Sequence, residues 1–154
     1  MSSTSCSKVS PRRVRLPCES DRELITVALA AAVYRSLAST VSYLCTDQKY
    51  VVDNILDHTY TSVVLDDSYL LIYNVGSPWY STSSVLVEEM VLRLQPGSHF
   101  SVVTDYLDDL AEHYDCDLIL VGGALSRSSR AITRLYQRQG FTVEGVPQLS
   151  KRRR

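Results

Sequence analysis

Two carboxylates side by side in an apolar run are the first residues here with chemistry to offer. Glu88 and Glu89 lie inside Val85 to Leu94, a β-branched and aliphatic stretch long enough for a central strand. Neighbours on a strand point to opposite faces, so only one of the two can meet a cleft on a given side. Partial burial there would raise its pKa and suit it to act as a general base, directly or through water. The ordinary alternative is an acid near a strand edge that discourages edge pairing. Next come Gly97, Ser98, His99, Phe100 and Ser101, which span a loop and the first turn of a helix. They read equally as a Pro-Gly turn with Ser98 as helix cap and as a loop whose backbone approaches an anion. His99 as a catalytic histidine is the lesser reading. Arg127, Arg130, Arg134 and Arg138 are spaced three, four and four, a basic stripe on one helix face that could hold a phosphate. Solvation or pairing with acidic neighbours is the preferred explanation. Trp79-Tyr80 could line a pocket or an interface, with core packing as the default. Cys6, Cys18, Cys45 and Cys116 are far apart, without a C-x-x-C pair or clustered histidines. They read as free thiols with no metal site, and none sits in a nucleophile motif.

The elements that must position these residues follow from periodicity. A short strand is expected at Arg13 to Pro17. Ser20 or Asp21 then caps a helix in which Leu24, Val27, Ala28, Ala31, Tyr34 and Leu37 recur at helical spacing. A second helix is expected from Thr46 to Leu56, with Tyr50, Val51 and Ile55 inward and Asp53 and Asp57 outward. Thr61 to Leu65 and Tyr69 to Val75 read as strands joined by a tight hairpin at Asp66-Asp67. After the Val85 strand, an amphipathic helix carries Val102, Val103, Tyr106, Leu107, Leu110, Ala111 and Tyr114 on one side and Asp105, Asp108, Asp109 and Glu112 on the other. Asp117 to Gly122 is a nearly all-apolar run of the kind covered on both faces. A helix over 128–139, stopped by Gly140, leads into an alternating tail from Phe141 to Leu149. Strands separated by helices of this length imply an α/β fold with a mixed sheet and at least one βαβ crossover.

The chain of 154 residues, 45% hydrophobic and 21% charged, suits one domain with its own core and argues against wholesale disorder. Residues 1–12 read as a flexible basic arm, 13–150 as a single domain and 151–154 as a basic tail. Lys8, Arg12, Arg13 and Arg15 give the first 15 residues a charge of +4, Lys151 to Arg154 another +4, and 16–150 carries −9. Solvated tails are the ordinary explanation, with nucleic-acid contact through them as the alternative. The longest apolar run, Ile25 to Val33, is too short to span a bilayer and no signal-peptide core precedes it, so no membrane partner and a soluble, cytoplasmic protein are expected.

The segment Arg130 to Phe141, RAITRLYQRQGF, resembles the last helix and following strand of the GNAT N-acetyltransferases, whose members carry Leu-Tyr, three residues, then Gly-Phe. Leu135, Tyr136, Gly140 and Phe141 fit position by position, and the upstream layout fits over roughly residues 13–150. The resemblance implies a GNAT fold: a mixed central sheet of about six to seven strands, splayed at the centre and flanked by about four helices. It implies acetyl-CoA as co-substrate, lying in the splay with its pyrophosphate on backbone amides of Gly97, Ser98, His99, Phe100 and Ser101. Ser129 stands where many members have an Asn and is carried over as a cofactor-binding position. The loop departs from the family's Gln/Arg-x-x-Gly-x-Gly/Ala: Leu94 replaces the polar first residue, His99 stands for the small last one, and Pro96 removes a donor.

The activity so implied is transfer of an acetyl group from acetyl-CoA to a primary amine by direct attack. Tyr136 would protonate the leaving thiolate and Glu88 or Glu89 would act as base. The partners would be acyl-CoA and an amine acceptor. Short GNAT-like chains with altered loops also resemble those encoded by bacteriophages. The alternative is therefore a catalytically inactive GNAT-like structural or interaction protein, virion-associated and held by protein partners.

Overall fold

Strands β2 (Ser62–Leu65) and β3 (Tyr69–Gly76) lack the alternation of a half-buried sheet because both of their faces are covered: all four residues of β2 and the first four of β3 are buried. The computed structural model describes residues 13–36, 43–122, 130–143 and 151–153. In chain order the remaining elements are β1 (Val14–Arg15), α1 (Arg22–Arg35), α2 (Gln48–Leu56), β4 (Val85–Arg93), α3 (Ser101–His113), β5 (Leu118–Leu120) and α4 (Arg130–Arg138). The sheet order is β1-β2-β3-β4-β5, antiparallel through β4. β5 joins parallel to β4 after the crossover through α3.

Each face of the sheet carries its own core. On one, Val64, Leu70, Ile72, Met90 and Leu92 meet Ile25 and Leu29 of α1 and Val52 and Ile55 of α2. On the other, Val63, Leu65, Tyr69, Leu71, Leu86 and Val91 meet Phe100, Val103 and Leu107 of the α3 region and Tyr136 of α4. The β2–β3 hairpin turns through Asp66 and Asp67 at φ 50° and 55°, and the Ser68 N–H bonds to the Leu65 carbonyl at 2.9 Å. Aspartate tolerates that left-handed geometry better than most side chains do.

Several expectations are corrected. Five strands are present among the described residues, not six to seven; Phe141 to Val143 are not strand, and 144–150 lie outside the described residues. α1 packs through Ile25, Leu29, Ala32 and Val33, whereas Leu24, Val27, Ala31 and Tyr34 are exposed and only Ala28 of the expected stripe is partly buried; Leu37 is not described. The helix is apolar nearly all round, so periodicity alone cannot pick the face that the sheet selects. In α2, Val52 replaces the exposed Tyr50 in the core. β5 is not covered on both faces: Ile119 packs toward α3, while Leu118 and Leu120 are exposed. α1 and α2 cover β2–β4 and leave that side of the edge strand bare. Trp79 and Tyr80 form an edge-to-face pair at 5.5 Å but are exposed, so core packing is not their role. Asp21 begins α1 without capping it; its carboxylate binds Arg15 through two contacts of 2.8 Å and accepts the Cys18 N–H. In the tail, the Arg152 guanidinium lies 3.9 Å from the Tyr43 ring centroid instead of standing free.

Among the described residues, no helix is long and apolar enough to cross a membrane, and no group of three or more His, Cys, Asp or Glu could hold a metal ion.

Candidate active site

A bulge in β4 separates the two glutamates. Ile72 pairs with Met90 and Tyr73 with Glu88, so Glu89 is the extra residue of the ladder. Without it, Leu86, Glu88, Met90 and Leu92 would share one face. With it, Leu86 and Glu88 face the α3/α4 core, and Met90 and Leu92 face the α1/α2 core. Glu88 is fully buried, while Glu89 is exposed on the α1/α2 side.

The ladder from β4 to β5 is short. β4 pairs with β5 only through Val85↔Leu118, Leu86↔Ile119 and Val87↔Leu120, whereas its ladder to β3 continues to Arg93. Glu88 is thus the first residue of β4 beyond the last β5 pair. The resemblance implies a splay between the Val85 and Asp117 strands, and the end of this ladder is where such a gap would begin.

α4 delivers Tyr136 to that point. Its Leu135 and Ile132 pack against the α3/α4 core, and Tyr136 is 3% exposed. Gly140, at φ 95°, ends the helix in a left-handed turn that a side chain would strain. The turn returns the Phe141 N–H to the Tyr136 carbonyl at 3.2 Å and sets the Phe141 ring 5.1 Å from the Tyr136 ring. Phe100 packs edge-on from another side at 4.9 Å. This gives the Tyr-x-x-x-Gly-Phe spacing a local reason, since the glycine lets the following ring fold back on the tyrosine.

Held between two rings, the Tyr136 hydroxyl donates to Glu88 Oε1 at 2.9 Å. Burial, then the Glu88 charge and this hydrogen bond, push the phenol pKa well above its usual value, so the hydroxyl keeps its proton at neutral pH. A buried carboxylate and a buried phenol, 48 residues apart in sequence, form one proton-holding unit.

The loop before α3 is built differently. Gly97, at φ 153°, has a backbone that a Cβ would push to 2.9 Å from Ser68 Oγ. Ser98 is half-buried, donates its hydroxyl to Asp66 Oδ2 at 3.0 Å, and accepts from the Tyr69 hydroxyl at 3.3 Å through its carbonyl. It does not cap α3, whose N-cap is Phe100 without a side-chain bond. His99 is exposed, Phe100 is buried in the core and Ser101 is half-buried. The backbone N–H groups of Gly97 to Ser101 have no hydrogen-bond partner among the described residues, whereas those of Val102 and Val103 bond to the His99 and Phe100 carbonyls. Uncommitted donors at a helix start suit an anion. Asp66 is a residue the sequence reading missed: it anchors both Ser98 and the Arg13 N–H, the latter at 2.6 Å. Nothing within 30 residues of the loop signals it; only the hairpin brings it there.

Ser129 and Arg127 lie outside the described residues, and Arg134 and Arg138 are exposed without an ion pair among those described.

Solved structures share the overall fold. A ribosomal-protein-alanine N-acetyltransferase from Brucella melitensis biovar Abortus 2308 superposes with a TM-score of 0.65 at 13% identity, over 92% of this chain and 99% of that one. The chain has the GNAT acetyltransferase fold. Also similar is a protein described as an acetyltransferase from Arthrobacter sp. FB24, with a TM-score of 0.59 and 16% identity over 95% and 96% of the two chains. A Clostridium acetobutylicum protein described likewise and solved with acetyl-CoA has a TM-score of 0.50 and 12% identity over 91% and 96%. The sequence matches no protein-family model and no curated protein. In this GNAT fold the resemblance seen at Leu135, Tyr136, Gly140 and Phe141 falls on the residues that clamp one buried hydroxyl against one buried carboxylate.

Proposed function

We propose that this protein is an N-acetyltransferase that moves the acetyl group of acetyl-CoA to a primary amine by direct attack. One observation carries the reading: the Tyr136 hydroxyl is bonded to Glu88 where β4 and β5 cease to pair. The loop of Gly97 to Ser101 would hold the pyrophosphate on its uncommitted N–H groups, with α3 behind them. The amine nitrogen attacks the thioester carbonyl, the C–S bond breaks, and one proton must pass from nitrogen to sulfur. Tyr136 gives its proton to the sulfur, and Glu88 accepts the proton leaving the nitrogen. Because the two side chains share a hydrogen bond, the proton gained by Glu88 can restore the phenol, leaving neither group changed. That circuit removes the difficulty that a phenol with a raised pKa is by itself a poor acid. It favours Glu88 over Glu89 as the base.

Calorimetric titration with acetyl-CoA and with CoA tests the reading, beside a His99→Glu variant that places a negative charge at the loop. Micromolar binding that weakens at least tenfold in the variant is expected. Amine acetylation should then fall about 10²-fold or more in Tyr136→Phe. Absence of binding at millimolar acetyl-CoA refutes the proposal.

A further inference from the structure

The apolar stripe of α1 that periodicity brings forward is not the one that the sheet uses. Leu24, Val27, Ala31 and Tyr34 are spaced three, four and three, the repeat of a two-helix seam. All four are exposed, Val27 to 63% and Tyr34 to 75%. The core takes Ile25, Leu29, Ala32 and Val33 from the same helix. At ~3.6 residues per turn the exposed four centre opposite Leu29, so α1 carries two apolar faces and the sheet covers one. Ala28 and Ala30 flank the middle of the exposed stripe, and neither is long enough to keep a second helix away. The stripe runs about 15 Å along the helix. Single apolar residues on a surface are ordinary, but a continuous row of them marks a contact surface.

The make-up of the stripe says what fits it. Turned end for end about the level of Leu29, it matches itself: Leu24 meets Tyr34 of a second copy at either end, and Val27 meets Ala31 in the middle. Charge selects the same direction. Glu23 precedes the stripe and Arg35 follows it, both exposed and without an ion pair among the described residues. Arg22, by contrast, is already held by Glu19 at 2.7 Å and Asp53 at 2.8 Å. An antiparallel pair brings the acidic end of each helix beside the basic end of the other and opposes the two helix dipoles. A parallel pair would set like beside like. A surface that complements itself under a two-fold axis is that of a symmetric dimer.

We infer that α1 is a self-association surface, where two copies of this chain pair helix to helix, antiparallel, through Leu24, Val27, Ala31 and Tyr34. A seam of four residues per copy is small, so the dimer dissociates on dilution. The contact lies on the face of the sheet opposite the Tyr136–Glu88 pair and is independent of the acetyltransferase reading.

Sedimentation equilibrium of the full chain should show the 17.3 kDa monomer at about 2 µM and twice that mass at about 200 µM. Val27→Glu puts a charge at the centre of the seam and Tyr34→Lys puts one at its end. Each should raise the dissociation constant tenfold or more. Both positions are exposed, so at about 2 µM each variant should melt within about 2 °C of the wild type. Trp79→Ala removes an exposed aromatic outside α1 and should leave the dimer unchanged. Oxidising an equal mixture of Val27→Cys and Ala31→Cys chains tests the direction: peptide mass should find more 27–31 links between chains than 27–27 and 31–31 links together. A chain still monomeric at about 200 µM overturns the inference. So does a dimer that neither charged variant weakens, one that Trp79→Ala weakens equally, or a predominance of 27–27 and 31–31 links.

Discussion

Replacing Tyr136 by phenylalanine removes one oxygen from a packed site and little else. The ring keeps its contacts with Phe100 and Phe141, so no cavity larger than a hydroxyl opens. What is lost is the hydrogen bond to the fully buried Glu88. A bond to a charged group contributes about 1.5–3 kcal/mol, and a chain of this size loses roughly 2–4 °C of melting temperature per kcal/mol, so a fall of about 3–12 °C is expected at pH 7. The alkaline limb gives a sharper test. In the unfolded chain Tyr136 ionises near its ordinary pKa of about 10, while in the folded protein burial and Glu88 hold the proton to higher pH. The folded state then binds more protons than the unfolded one. The stability due to this group is fully present below pH ~10 and falls by about 1.4 kcal/mol per pH unit above it. Urea unfolding at intervals from pH 8 to 11.5 should show a wild-type decline steeper by that slope than the decline of Tyr136→Phe. Absorbance titration of the folded protein should show the same tyrosines ionising in both. Parallel alkaline limbs together with a melting loss under 2 °C would refute the buried, proton-holding hydroxyl.

Leu29→Ala should cost about 2–5 kcal/mol, read by denaturant unfolding, whereas Leu24→Ala, five residues earlier on the exposed face of α1, should change stability by less than about 0.5 kcal/mol. Gly97→Ala brings a Cβ against Ser68 and should cost about 1–2 kcal/mol in thermal unfolding, with acetyl-CoA affinity reduced in calorimetry. The Arg15 guanidinium, with the Cys18 N–H, holds the buried Asp21 carboxyl below its usual pKa despite its burial. Its stabilisation is therefore present above pH ~4 and disappears as pH falls through the lowered value. Asp21→Asn should be less stable than wild type by about 1–2 kcal/mol at pH 7, after allowing for the partly exposed Arg15, and the gap should narrow as pH falls below about 4 in acid unfolding.

Much of the site was legible because its parts are local. A tyrosine followed four residues later by glycine and then an aromatic is a helix end that folds back on itself, and Gly140 and Phe141 do so. Glu88 and Glu89 had to point to opposite faces in any strand. The hairpin at Asp66-Asp67 follows from residues that accept positive φ. What escaped was non-local. The apolar surface of α1 has no single face until the sheet chooses Ile25 and Leu29, and Trp79 and Tyr80 are hydrophobic without being interior. Ser98 looked like a cap, but Asp66, brought in by the hairpin, competes for its hydroxyl.

The sequence by itself determined the element order from β1 to α4, the α/β class and the spacing that sets Tyr136 before Gly140 and Phe141, because each depends on periodicity and turn chemistry within a few residues. Only the tertiary structure decided which glutamate meets the tyrosine. That choice depends on one extra residue in the β3–β4 ladder: it reverses the faces of β4 beyond Glu88, directs Glu89 to the α1/α2 side of the sheet, and arises from the register between two strands, which no property of either strand alone specifies.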